Sequence, residues 1–225
     1  MGAILRPMNA MPAPVTQSTW KTEPIVDITC GHTVGYEILH PGPMPSTISG
    51  WRAWYRRILG TTMKTGVWTA INFDTRHLLD DTIVNLLYMN QGTPQRVIEW
   101  TEFSRSTHRQ GDLVAAARVL TELRSATGAR LSIDDAGAGI DAVQRMSLAP
   151  PDFVKIDGHL FQQAETCGHT RKLMRGLLAL AREISAEPII EWIETEAQRN
   201  LAKHCGAMLG QGFYFTEGRG VVTTS

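Results

Sequence analysis

The chain has few of the residues that mark extracellular, zinc-binding or membrane-embedded proteins. Cys30, Cys167 and Cys205 are odd in number and far apart. That argues against a disulfide framework and makes reduced thiols in a cytoplasmic protein the expectation. The seven histidines show no HxxxH spacing and the cysteines no CxxC, so no zinc signature is present. No apolar run approaches the roughly 20 residues that cross a bilayer. Net charge is also lacking: 22 basic residues balance 22 acidic ones. No global field therefore gathers a nucleic acid polymer or an anionic membrane, and an anionic ligand has to be held locally. Residues 1–22, with Pro7, Pro12 and Pro14, lack the basic-then-apolar order of a secretory signal and are expected to form a loose arm. Residues 218–225 are expected to be a tail. That leaves 23–217 as one domain, large enough to bury a core.

What the chain does have is strict alternation. Apolar strand patterns at 24–29 and 34–39 flank the turn Gly31-His32-Thr33 and predict a hairpin. The stretch 40–50, rich in proline and glycine, predicts a loop. Trp51, Trp54, Ile58 and Leu59 then share one face of a helix over 51–64, with Arg52, Arg56 and Arg57 on the other. Strands follow at 67–72, 96–101, 130–134, 152–156, 187–192 and 207–209. Helices are predicted at 75–90, 111–126, 139–147, 169–185 and 194–204. Strands alternating with helices make a parallel sheet with helical crossovers, and eight strands in a chain this short predict a TIM-like (β/α)8 barrel. The opening hairpin puts one antiparallel strand into it.

The strand ends carry the chemistry. Glu37, Asn72, Glu99, Asp134, Asp135, Lys155, Glu191 and Gln211 all fall at or near the end of a predicted strand. One such acid alone is usually a helix cap. Repeated through the chain, in a fold whose strand ends converge on one mouth, these residues instead predict a set of oxygen ligands for divalent cations.

These segments resemble the EAL domain, the cyclic di-GMP-specific phosphodiesterase domain of bacteria. Tyr36-Glu37-Ile38-Leu39 stands where the Glu-Ala-Leu signature belongs. Asn72 in Ile-Asn-Phe-Asp, Glu99-Trp100-Thr101-Glu102, Asp134-Asp135-Ala136-Gly137 and Lys155-Ile156-Asp157 match further family motifs in order. So do Glu191-Trp192-Ile193-Glu194-Thr195 with Gln198, and Gln211-Gly212-Phe213. The resemblance implies hydrolysis of cyclic di-GMP to pGpG with two divalent cations, Mg²⁺ or Mn²⁺, Ca²⁺ being a poor, inhibitory substitute. It implies Glu37, Asn72, Glu99 and Asp134 as ligands of one ion. Asp134 is shared with the second, which Asp135 and a glutamate of 191–194, taken as Glu194, complete. Lys155 would hold the attacking water, Glu191 is a candidate base, and Glu102 would brace the loop after the aspartates. Leu39, Gln211 and Phe213 would line the substrate site. A homodimer through 136–147 is also implied.

Departures from the family pattern fall outside the ligand set. Pro41 stands in the segment where an arginine would grip phosphate, and Glu23 replaces a glutamine on the first strand. The segment between Glu37 and Asn72 is short, Ala136 replaces a phenylalanine, and Trp192 replaces a glycine. Two functional expectations therefore stand side by side. One is the phosphodiesterase. The other is a weak or inactive EAL-like protein that acts as a cyclic di-GMP receptor or binds a regulatory protein partner. An unrelated barrel enzyme acting on sugars through paired acids would leave the lysine and asparagine without a role.

Overall fold

The computed structural model describes residues 20–60, 67–90, 95–101, 110–138 and 141–216. Eight strands close a barrel in sequence order: β1 (Lys21–Asp27), β2 (Thr33–Leu39), β3 (Trp68–Phe73), β4 (Arg96–Trp100), β5 (Arg130–Ala136), β6 (Phe153–Ile156), β7 (Glu187–Ile190) and β8 (Leu209–Gln211). β1 runs antiparallel to both β2 and β8, and every other pairing is parallel. The predicted fold class holds.

The helices are α1 (Ile48–Leu59), α2 (Thr75–Leu78), α3 (Asp81–Met89), α4 (Gln110–Thr127), α5 (Ala142–Leu148), α6 (Gly158–Thr166), α7 (Gly168–Glu183), α8 (Glu196–His204) and α9 (Phe213–Thr216). The one-turn α9 was not predicted, and three other departures from the sequence expectation have local reasons. The helix predicted over 75–90 is two helices, because Asp80 leaves helical geometry and caps α3, its carboxylate accepting from Ile83 N–H. Arg52 on α1 fixes that carboxylate with two hydrogen bonds, 2.6 and 3.0 Å, and so does not turn toward the barrel mouth. α6 was not predicted; Asp157 caps it at Leu160 N–H, and Phe161 and Ala164 bury one side. α1 starts three residues early, where Thr47 accepts from Gly50 N–H.

Period-two alternation sorts the barrel interior into two tiers. The lower tier is apolar: Ile25, Trp68, Ala70, Val97, Phe153 and Ile189 pack together. Trp68 stacks on Phe153 at 4.8 Å, and the Arg130 guanidinium lies 5.4 and 5.1 Å from their rings. Gly35 makes room for that plug, since a Cβ there would sit 2.4 Å from the Trp68 indole. Two residues further along each strand, on the same face, the side chains change character. Ala70 gives way to Asn72, Val97 to Glu99, Ser132 to Asp134, Phe153 to Lys155 and Ile189 to Glu191. On β1, which runs the other way, the counterpart of Ile25 is Glu23.

Candidate active site

The upper tier draws one polar side chain from each strand or, for β7, from the residue just after it: Glu23, Glu37, Asn72, Glu99, Asp134, Lys155, Glu191 and Gln211. Lys155 is its centre. It is 2 % exposed, and its Nζ lies 2.5 Å from Glu99 Oε1, 2.7 Å from Glu191 Oε1, 3.1 Å from Glu37 Oε2 and 3.3 Å from Asp134 Oδ1. Burial opposes the ammonium charge, but the Asp134, Glu191, Glu37 and Glu99 carboxylates outweigh it and hold its pKa well above the usual lysine range. Glu37 also accepts from Asn72 Nδ2 at 2.6 Å and Gln211 Nε2 at 2.5 Å. Burial pushes its pKa up, yet Lys155, Gln211 and Asn72 together bring it below the ordinary value. Glu99 goes the other way. Burial, then repulsion from Glu37, raises it well above the carboxylate range despite Lys155.

Neighbouring acids on a regular strand would face opposite ways. The register of β5 against β6 shifts between Ile133 and Ala136, and Asp135 takes φ 58°. Aspartate tolerates that left-handed conformation better than most residues. The irregularity turns both acids toward the mouth, where oxygens of Asp134, Asp135 and Glu191 lie within 4.8 Å of one another. Burial and the neighbouring Asp134 raise Asp135 to about 6. Burial raises Glu191 to about 8, with Lys155 opposing and Asp134 adding to the shift.

All of these but Asn72 and Glu99 line a cleft of about 230 Å³, together with Leu39, Asp157 and Trp192. The donors suit a hard cation. All are oxygens; among the described residues the buried Asn72 Oδ1 and Glu99 Oε2 accept no hydrogen bond, and Asp134 Oδ1 has only the Lys155 ammonium at 3.3 Å. Uncompensated buried acceptors of this kind are costly unless something positive meets them.

Glu37, Asn72, Glu99, Asp134, Asp135, Lys155, Glu191, Leu39 and Gln211 thus meet at one mouth. Two predicted residues do not. β7 ends at Ile190, the chain turns at Trp192 (φ 57°), Ile193 enters the core, and Glu194 is left exposed. Glu191 therefore occupies the position beside the aspartate pair that the sequence assigned to Glu194. Phe213 is 68 % exposed and does not line the cleft. Glu102 lies outside the described residues, as do residues 139 and 140 of the predicted dimer segment.

One contributor was missed. Arg145 on α5 is fully buried; its guanidinium donates to the carbonyls of Trp100 and, at 2.9 Å, of Asp134, while Asp141 accepts from Nε at 2.9 Å. It ties together the ends of β4 and β5, which carry Glu99 and Asp134. The only sequence signal was the i,i+4 spacing of Asp141 and Arg145. Tyr55 plays a similar part on the other side, its hydroxyl donating to Asn72 O at 2.7 Å.

Comparison with known proteins places this geometry. A family model for the EAL domain matches residues 46–217, a span that begins after the strand bearing Glu37. Among similar curated proteins is MucR of Pseudomonas aeruginosa, a bifunctional diguanylate cyclase/cyclic di-GMP phosphodiesterase. It is 29% identical over 136 residues, which cover 60% of this chain and 19% of that protein. The chain spans less than a quarter of the length of the curated relatives it matches. The fold is shared with the EAL domain of Mycobacterium smegmatis DcpA (TM-score 0.69, 21% identity, 87% of this chain and 88% of that chain). It is also shared with the PaMucR phosphodiesterase in complex with c-di-GMP (TM-score 0.65, 23% identity, 86% and 88%).

Proposed function

Because this chain belongs to the EAL domain family, we propose that its barrel mouth is the active site of a metal-dependent phosphodiesterase that hydrolyses cyclic di-GMP to pGpG. The observation that carries the reading is the convergence of Asp134, Asp135 and Glu191 within 4.8 Å, beside buried acceptors that lack hydrogen bonds. Asp134, Asp135 and Glu191 would hold one divalent cation, Mg²⁺ or Mn²⁺, and Glu37, Asn72 and Glu99 with Asp134 would hold a second. Such ions, when bound, make water nucleophilic near neutral pH and offset phosphate charge.

The chain's own residues do the rest. Lys155, already ion-paired to four carboxylates, keeps its proton and presents positive charge to a phosphate oxygen or the attacking water. Glu191, which burial and the Asp134 and Glu37 carboxylates raise to about 8 against the opposing Lys155 ammonium, is a strong proton acceptor at the mouth. Positive charge nearby lowers that value and leaves it ionised at neutral pH, ready to take the water's proton. Leu39 and Gln211 bound the substrate cleft.

Purified protein incubated with cyclic di-GMP and Mg²⁺ or Mn²⁺ should release pGpG, and Asp134→Asn should stop it. No pGpG even at high enzyme concentration would remove the reading. A second reading has its own support. Among the described residues Lys155 is the only basic one lining the cleft, Pro41 is exposed, and Glu23 adds a further carboxylate. A site so poor in phosphate-gripping charge also suits a cyclic di-GMP receptor of low turnover or a regulator that binds a protein partner. Calorimetric binding of the nucleotide without product formation would favour the receptor.

A further inference from the structure

We infer that Trp192 is a stacking wall for a purine base of the ligand, and so determines specificity for a base-bearing phosphodiester. The inference rests on the proposed function and deepens it.

Three observations on one side chain carry it. Trp192 has φ 57°, a left-handed backbone that L-residues other than asparagine and aspartate seldom adopt. Such a conformation persists only where the surroundings over-determine it, and it gathers at sites that do something. The indole is 41 % exposed although it belongs to the wall of the cleft, next in sequence to Glu191. The indole is packed from behind by two neighbours. Gly158, the first residue of α6, leaves the space a Cβ would fill, and Trp192 Cγ would lie 2.1 Å from that atom. The His159 ring packs 4.3 Å from the indole at a tilt of 54°.

An indole seated against Gly158 and His159 has its position set before any ligand arrives. Its remaining surface faces the cleft and solvent. The rest of the described lining is charged or amide; among the described residues only Leu39 joins Trp192 in offering apolar surface. The charged groups match cations and phosphate. The indole matches neither, and what it does match is a flat aromatic group a short distance from the phosphate. In a nucleotide that group is the base. Pre-set aromatic faces hold bases by stacking, with little ordering cost on binding.

The test is a pair of variants. Trp192→Gly removes the wall and also relieves the left-handed strain, so the fold is not threatened. Trp192→Phe keeps an aromatic face. With Mg²⁺ and cyclic di-GMP, Trp192→Gly should raise KM about tenfold, the range expected for one lost base stack, while kcat changes less than about twofold. Trp192→Phe should recover most of the loss. Ribose 5-phosphate, which has the phosphate and sugar but no base, should inhibit wild type and Trp192→Gly equally. An unchanged or lower KM in Trp192→Gly overturns the inference, because the indole would then be idle or obstructive. Equal behaviour of the Phe and Gly variants overturns it too. Those outcomes leave the phosphodiesterase reading intact, whereas a wild-type protein that neither binds nor cleaves cyclic di-GMP overturns both.

Discussion

The acids of the upper tier should make the metal-free protein less stable as pH rises, the reverse of an ordinary salt-bridged carboxylate. Glu191 goes from an ordinary value of 4.5 to about 8 on folding. A carboxyl whose pKa is raised in the folded state stabilises fully below its unfolded pKa, and that stability drains away as pH climbs through the folded value. Between about pH 5 and pH 7 both limits are straddled, so Glu191 alone costs about 1.4 kcal/mol per pH unit, or about 3 kcal/mol across the interval. Asp135, raised from 3.8 to about 6, adds to the same trend, discounted because solvent screens it. Glu37 works in the opposite sense, but its lowered pKa completes its gain below about pH 5, beneath the window considered. For a chain of this size 3 kcal/mol corresponds to about 6–12 °C in Tm. Thermal melts in EDTA should therefore fall by about that much from about pH 5 to pH 7, and millimolar Mg²⁺ should flatten the slope by favouring the ionised acids. Calorimetry in buffers of different ionisation enthalpy should register proton release as Mg²⁺ binds. A Tm in EDTA that stays level or rises over that interval would refute the placement of Glu191 among buried acids.

Three substitutions probe the rest of the tier. Lys155→Met leaves Glu37, Glu99, Asp134 and Glu191 facing one another; metal-free stability should drop by about 3–5 kcal/mol in chemical denaturation, with Mg²⁺ restoring much of it. Equal losses with and without Mg²⁺ would mean the lysine does not neutralise the cluster. Glu23 lies opposite Glu37 across the β1–β2 pair, and burial, together with the Glu37 charge and against a hydrogen bond to Gln211, raises its pKa. Glu23→Gln should tighten cyclic di-GMP binding by up to about tenfold, or 1.4 kcal/mol, by titration calorimetry; weaker binding would show the carboxylate to be a contact and not a hindrance. Arg145→Met strips the buried clamp from Trp100 O and Asp134 O and should cost at least about 3 kcal/mol in urea unfolding, whereas a loss under about 1 kcal/mol would reduce Arg145 to packing.

How far the sequence could be read follows from the period of a strand. Val97 then Glu99, or Phe153 then Lys155, is visible as alternation, and convergence follows once the strands close a ring. What alternation cannot show is a departure from it. Asp134 and Asp135 are neighbours, and only the register shift and left-handed Asp135 let both face inward. Glu191 and Glu194 are three apart, and which one the site receives depends on the turn at Trp192. Arg145 was invisible for another reason. It reaches the site through backbone carbonyls, and a buried arginine carries the same letter as a solvated one. α6 was passed over because its cap, Asp157, also belongs to the motif Lys155-Ile156-Asp157, and the motif absorbed it.

The plug of Trp68 and Phe153, backed by Arg130, closes one end of the barrel. Traffic has a single doorway. On the proposed reading, whatever enters first sits deepest and leaves last, so cations would load ahead of the nucleotide and wait for it to depart. A chelator added after the ligand should then act no faster than the ligand's own escape, and the dwell time of the one becomes a clock for the other.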